Sequence, residues 1–343
     1  MPRNSVPPKV SVLIPVYNVE KYVERCILSV LNQTMQEGVE VIIVNDCTPD
    51  RSMEMIRKLL RTHLKENGMM VSIVEHEKNR GQAAARNTLM KYAIGDYTIF
   101  VDSDDYVEHD MLEKMYSKAV ETDADIVMAD FWNEHIDKHT YMSACYSESK
   151  RVLLGNVIRG KCNNLWNKLI RRSLYIENNI NWSEGYDMAE DYSVMVPLCF
   201  TAHKVVYIPS AYYHYVQYNL SSITKRAMSQ RELDGSVYGT NNMIKFIEAN
   251  KIMGFDADIA YRLLFIRYWC ILNSIDKANK NSYLKLYSNV SFRYKFLFVM
   301  HTRGIGTKVC TFLITFGCVP LLRVLLLVKN KSIPKSRILH SNK

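Results

Sequence analysis

Residues Tyr97–Asp105 read YTIFVDSDD, five strand-forming residues running directly into Asp102, Asp104 and Asp105. An unbroken β-branched and aromatic run predicts a buried strand, with the carboxylates at its carboxyl end. In open α/β sheets that end faces the ligand crevice. Asp102 and Asp104, two positions apart at a strand exit, are placed to share a hard divalent cation, which takes oxygen ligands and substrate phosphates. Read alone, the cluster is also an ordinary acidic turn leading into a helix, where Asp is favoured.

Outward from this strand, residues 1–130 alternate strand-like and helical periods. Val10–Ile14, Glu40–Asn45, Val71–Glu75 and Asp125–Asp130 join Tyr97–Val101 as expected strands. Between them Val23, Ile27, Val30 and Leu31 recur at helical spacing, and helices are expected over Asp50–Lys65, Gln82–Ala93 and His109–Thr122. Such alternation implies βαβ units, hence an α/β fold with a mostly parallel, Rossmann-like sheet flanked by helices. Residues 131–233 are less regular and rich in polar aromatics, and residues 234–330 lack strand signals and look helical.

The 343 residues suffice for about two domains. A hydrophobic content of 48% belongs to a globular chain, not a disordered one. Eight cysteines are scattered without a CxxC pair or zinc spacing, the pattern of reduced, mostly buried thiols in a cytosolic setting. The opening MPRNSVPP is polar and proline-rich, with no apolar run before Val10, unlike a secretory signal.

The formal net charge of +9 is unevenly spread. No acid follows Asp276, and 13 of the 44 Lys and Arg lie in Lys277–Lys343, which leaves 31 against all 35 Asp and Glu in residues 1–276. The basic excess therefore belongs to the end of the chain, where it fits a polyanionic surface, nucleic acid or anionic lipid. Apolar content separates the two. Val309–Leu322 carries no charge and Val324–Val328 continues it, yet 14 residues broken by Gly317 and Pro320 fall short of the about 20 that span a bilayer. Basic flanks around apolar helical segments predict helices lying in an anionic membrane interface, not a nucleic-acid tail. Packing of these segments on the body of the protein or on another subunit is the alternative.

Polar clusters fall where successive strands end. Pro15-Val16-Tyr17-Asn18 follows the first, Asn45-Asp46-Cys47-Thr48-Pro49-Asp50 the second, Asn79-Arg80-Gly81-Gln82 with Ala85-Arg86-Asn87 the third, and Asp102-Ser103-Asp104-Asp105 the fourth. Each by itself is compatible with turn chemistry or a helix cap. Together they converge on one crevice. In this order PVYN, DCTPD, NRGQAAARN and DSDD resemble the motif series of family-2 inverting glycosyltransferases with the GT-A fold, of the bacterial surface-polysaccharide type. The resemblance covers roughly residues 9–225. The glycine often found after the first acid is Cys47 here, which leaves local turn geometry open.

The resemblance implies a nucleotide-diphosphate sugar donor, most often a UDP-sugar. It places base and ribose around Pro15, Val16, Tyr17, Asn18 and Asp46, where a carboxylate can accept from a uracil imide N–H. It implies that Asp102, with Ser103 beside it, faces the ribose and a metal-bound water, while Asp104 ligates Mn2+ or Mg2+ bridging the diphosphate. The cation would neutralise charge on the departing nucleoside diphosphate, so no acid is required there. Arg86 stands near the nucleotide or organises Asp102; a structural ion pair is the equal alternative.

Inversion also needs a base for the acceptor hydroxyl. The resemblance assigns it to the pair Glu190-Asp191 ahead of a helix on the acceptor side, with Asp191 as general base. Two adjacent carboxylates near an anionic donor raise a pKa, as a base near neutral pH requires. Alone, the pair is an acidic helix N-terminus. Leu165-Trp166-Asn167-Lys168-Leu169 resembles a W-N-K-L stretch of these enzymes, which makes Lys168 a candidate for the diphosphate or acceptor, or else a solvated lysine. His214, within Tyr212-Tyr213-His214-Tyr215, is a candidate third metal ligand or a structural histidine.

The expected organisation is a nucleotide-sugar-binding half over 1–130, an acceptor-side part of the catalytic domain over 131–233, and a helical, basic, membrane-associating region over 234–343. The expected activity is metal-dependent sugar transfer to a hydroxyl of a glycan or lipid-linked acceptor, by a cytoplasmic protein peripheral on the inner face of the cell membrane. The alternatives are a non-catalytic membrane-bound scaffold of the same fold and a D-x-D phosphotransferase. The latter usually carries its motif after the first strand with a following Thr, whereas here Asp105 follows.

Overall fold

The computed structural model describes residues 8–63, 68–186, 188–219, 228–274, 277–302 and 305–318. Two compact units divide the chain, Met1–Arg226 and Ala227–Lys343.

In the first unit β1 (Val10–Val16), β2 (Val39–Asn45), β3 (Met70–Glu75) and β4 (Tyr97–Phe100) lie parallel in the order β3-β2-β1-β4. Helices α1 (Val23–Leu31), α2 (Ser52–His63) and α3 (Gln82–Tyr92) make the crossovers that parallel pairing requires. In register, Val12 stands opposite both Val41 and Ile99. Buried on both faces, β1, β2 and β4 read as nearly continuous apolar runs, which made them legible, whereas the edge strand β3 is only partly covered. α1 turns Val23, Cys26, Ile27, Val30 and Leu31 inward; an aliphatic side chain so buried contributes about 1.5–3 kcal/mol.

Beyond β4 come β5 (Tyr106–Val107), α4 (Met111–Thr122), β6 (Ile126–Glu134), β7 (His139–Met142), α5 (Lys150–Arg159), β8 (Lys168–Arg171), α6 (Arg172–Glu177), α7 (Glu190–Thr201) and β9 (Val205–Val216). The sheet continues β4-β8-β6-β9-β5 with β7 on β6, nine strands among the described residues. β8 runs antiparallel to β4 and β6, while β6 and β9 are parallel. The parallel run expected from the alternation thus spans β3 to β4, and the sheet is mixed beyond. β9 gave little strand signal because Pro209 interrupts it and nine of its twelve residues are only half-buried, Tyr207, Tyr212, His214 and Tyr215 among them. At the amino ends of the strands sits a structural acid. Glu40 is 7% exposed and accepts from Ser11 Oγ and from the N–H groups of Ile94 and Gly95.

In the second unit α8 (Gln230–Ala249) opens on a capping box formed by Ser229 and Glu232. α9 (Asp256–Asn273), α10 (Lys277–Lys285), α11 (Phe292–His301) and α12 (Ile305–Phe316) follow. Leu233, Ile266, Cys270, Leu313 and Ile314 belong to the core of this unit. One side of α12 is therefore core. Gly317, at φ +73°, ends that helix in the left-handed conformation that glycine takes without strain. No helix among the described residues is long and apolar enough to cross a membrane. Val324–Val328 and the rest of 319–343 lie outside the described residues.

Candidate active site

β1, β2 and β4 are parallel neighbours, so the loops leaving Val16, Asn45 and Phe100 open on one edge of the sheet. Three bonds pin the first loop to the second: Asn18 N–H to Thr48 Oγ1 (2.8 Å), Val19 N–H to Ser52 Oγ (3.2 Å) and Glu20 N–H to Asp50 Oδ2 (2.8 Å). Pro15 and Val16 end β1, and Tyr17 stands 47% exposed beyond them. Cys47 has φ +55°, which explains why glycine suits this position in the motif.

Asp46 is 3% exposed, and four donors surround its carboxylate. His76 Nδ1 (2.7 Å) and the Arg80 N–H (2.8 Å) reach Oδ1, and Asn79 Nδ2 (3.0 Å) and the Gly81 N–H (2.8 Å) reach Oδ2. A carboxylate offers about four lone-pair sites, and these contacts fill them. Asp46 thus locks the 76–81 loop at the edge of the sheet where the loops after β1 and β2 meet. The locked loop delivers Gly81, the N-cap of α3, and α3 carries Arg86.

After β4 the chain turns through Asp102, Ser103, Asp104 and Asp105. The Asp102 N–H donates to Tyr213 Oη (3.0 Å), and that hydroxyl donates to Asp105 Oδ2 (2.7 Å). The Val216 N–H takes Asp105 Oδ1 at 2.7 Å. The Asp102 N–H and the buried Asp105 carboxylate thus anchor the turn to β9; Ser103 is buried as well, while the Asp102 and Asp104 side chains stay partly exposed. Burial, with Asp102 beside it, pushes Asp104 up to about 6, against a bond from Asn219 Nδ2 at 2.8 Å. Tyr213→Phe removes a donor from Asp105 and an acceptor from the Asp102 N–H. Urea unfolding is expected to show a loss of about 1–3 kcal/mol, and an unchanged midpoint would contradict this anchoring.

α7 begins at Glu190 and Asp191 behind Ala189, which sits at φ +61° and makes no side-chain cap. Both acids therefore occupy the first turn, where the helix dipole favours negative charge. Arg86, 2% exposed, joins the two halves of the site. Its Nη1 bonds Asp191 Oδ1 and lies 3.1 Å from Glu190 Oε1, and its Nη2 lies 3.6 Å from Asp102 Oδ1. Burial, then Asp191, pushes Glu190 up to about 8. Burial also raises Asp191, while Arg86 pulls it down. Below, the Arg86 guanidinium lies 5.5 Å from the Phe100 ring, which packs edge-on against Trp182.

Residues 11–178 match the model of glycosyl transferase family 2. This unit carries a domain of that family. The uncharacterised glycosyltransferase EpsJ of Bacillus subtilis (strain 168) is 33% identical over 227 residues, covering 64% of this chain and 63% of its own. The poly(ribitol-phosphate) beta-glucosyltransferase of Bacillus spizizenii is 31% identical over 218 residues, 61% of this chain and 32% of its own. The chain thus spans less than two thirds of the length of these relatives. The crystal structure of S. aureus TarS 1-349 in complex with UDP-GlcNAc superposes with a TM-score of 0.70 at 19% identity, over 94% of this chain and 92% of that one. It shows the shared GT-A fold.

Two further residues expected to serve the glycosyltransferase site are placed otherwise. Lys168 is 1% exposed, and its ammonium donates to Asn164 O (2.5 Å) and Asn167 Oδ1 (2.8 Å). It braces a turn inside the protein, and burial lowers its pKa. It is neither solvated nor free to reach a diphosphate. His214 has Glu134 at 2.7 Å on Nδ1 and Glu108 at 2.9 Å on Nε2, with Tyr106 stacked 4.2 Å away. Both of its ring nitrogens thus face carboxylates.

Sequence reasoning missed His76 and Asn219 and named Tyr213 only within an aromatic run, each acting through a residue far away in the chain. It named Asn87 only as part of a motif. That carboxamide holds the Trp182 backbone at both ends, Nδ2 to Trp182 O (2.8 Å) and Trp182 N–H to Oδ1 (2.9 Å). Arg80 adds an ion pair to Glu184 at 2.8 Å. The loop ahead of Glu190 and Asp191 is thus tied to the N-R-G-x-x-x-A-R-N segment.

A divalent cation fits the Asp102–Asp104 pair. Two partly exposed carboxylates share one turn, and Asp102 Oδ1 is buried without a hydrogen bond. No group of three or more His, Cys, Asp or Glu side chains among the described residues forms a complete cage.

Proposed function

We propose that the chain transfers a sugar, with inversion, from a UDP-sugar to a hydroxyl of a glycan or lipid-linked acceptor. The observation that carries this reading is Arg86, which joins the acids after β4 to the acids opening α7. Donor-side and acceptor-side carboxylates therefore flank one point. Tyr17 and Asn18 at the rim receive the base and ribose, supported by UDP-GlcNAc being the ligand of TarS. Mn2+ or Mg2+ held by Asp104 and Asp102 would supply positive charge against the departing diphosphate. Asp191 accepts the proton of the acceptor hydroxyl while its oxygen bonds to the anomeric carbon and the sugar–diphosphate bond breaks. Its side chain is 21% exposed against 9% for Glu190, so of the two it is the one an acceptor can reach.

The beta-glucosyltransferase relative acts on poly(ribitol phosphate), which supports a polymeric acceptor. The acid-free, basic stretch after Asp276 supports work at the anionic inner face of a membrane, held peripherally.

The test is a thermal-shift panel of nucleotide sugars with and without Mn2+. A donor at about 100 times its Kd stabilises the folded state by about 2.7 kcal/mol, so one UDP-sugar should stand out and need the cation. In Asp104→Asn the Mn2+-dependent part should vanish while the ligand-free midpoint holds. A donor shift indifferent to Mn2+ in the wild type, or unchanged in the variant, sinks the assignment.

A further inference from the structure

α11 exposes Phe292, Phe296 and Met300 at intervals of four residues, by 71, 52 and 52%. α12 adds Val309 and Phe312, exposed by 42 and 46%. These positions form one surface. The Phe316 ring lies 5.5 Å from that of Phe292 and 4.7 Å from that of Phe312, centroid to centroid. Single exposed apolar side chains are ordinary, but a continuous patch built from two helices marks an interaction surface. The opposite sides of the same helices bury Phe298, Val299, Leu313 and Ile314, so the core of this unit does not need the outward residues.

Charge identifies the occupant. Arg293, Lys295 and Lys308 lie on these two helices, and neither helix carries an acid. A second copy meeting this surface about a two-fold axis would set those cations against their own counterparts with no carboxylate to pair them. Anionic lipid headgroups pair with them, and long basic side chains can lay their stems on apolar surface while the charge stays in the headgroup layer. We propose that the α11–α12 face docks on an anionic bilayer, with its phenylalanines at the boundary between headgroups and acyl chains. This deepens the peripheral location proposed above and rests on it, but not on the donor chemistry.

The experiment is sedimentation of the full chain with vesicles of phosphatidylglycerol and phosphatidylcholine, or of phosphatidylcholine alone. The wild type should partition onto the anionic vesicles and be released by about 0.5 M salt, which shortens the screening length. Phe292→Ser/Phe296→Ser/Met300→Ser changes only outward side chains and should bind roughly tenfold more weakly or worse, with its ligand-free melting midpoint kept. The proposal is overturned if the triple variant sediments like the wild type, or if both vesicles bind equally. It is also overturned if light scattering shows a wild-type dimer that the triple variant dissolves. Loss of the nucleotide-sugar thermal shift in the wild type would refute the transferase reading and leave the vesicle result standing, so the two failures are distinguishable.

Discussion

Asp191→Asn is expected to lower the transfer rate by about 100- to 10,000-fold, the usual contribution of a positioned general base. The amide is isosteric and still accepts from Arg86 Nη1, so the fold and donor binding should hold while kcat falls. The pH dependence supplies a second readout. Burial and Asp191 push Glu190 up to about 8, and burial raises Asp191. The two carboxylates titrate as a pair, above the ordinary carboxylate range. The base must be ionised, so wild-type kcat/KM should rise with pH as the pair loses its proton and then level. The Asp191→Asn change removes that limb. It also takes away the charge that helped to raise Glu190, whose pKa should move down. Product formation measured across the pH range checks both. A variant with full rate and an unmoved acid limb would exclude Asp191 as the base.

The second large effect belongs to Arg86→Met. Arg86 faces Asp102, Glu190 and Asp191 from a site 2% open to solvent. Removing one partner of such a buried set costs about 3–5 kcal/mol, because the remaining charges stay buried and unpaired. For a unit of this size, that lowers the melting temperature by roughly 10 °C. Direction with pH follows from linkage. A carboxyl whose folded pKa is raised binds its proton more tightly when folded than when unfolded. Its contribution to stability is fully present below the ordinary carboxylate pKa and weakens as pH rises toward the folded value, about 8 for Glu190. Without Arg86 the raise grows, so the deficit should be larger near pH 8 than near pH 5. Calorimetry at the two pH values decides it, and a deficit independent of pH would mean Arg86 acts through packing alone. Arg86→Lys restores charge without the planar fork, and should recover stability more than activity.

How far this site was legible depends on the kind of contact that builds it. The acids after β4 were readable because a fully buried strand must be apolar and must stop where its polar residues begin. Glu190 and Asp191 were readable only through the motif series, since their surroundings look like any acidic helix start. The surroundings of Lys168 and His214 were not legible for one reason. Their functional surroundings are made by Asn164 with Asn167, and by Glu108 with Glu134. Nothing in the local pattern distinguishes an engaged cation or imidazole from a free one. Asp46 is similar, because its four donors come from a loop about thirty residues away.

Local sequence therefore determined which segments become strands and crossover helices, and that the acids emerge together at one edge of a parallel sheet. Side-chain period and chain connectivity dictate those features, and neither needs a partner from elsewhere. Only the tertiary structure decided which acids remain available for chemistry and which are filled by the protein's own donors. Burial strengthens every polar contact it encloses, and which contacts are enclosed depends on residues as remote as Arg86 and Asp191, or Tyr213 and Asp105, that only the finished sheet brings together.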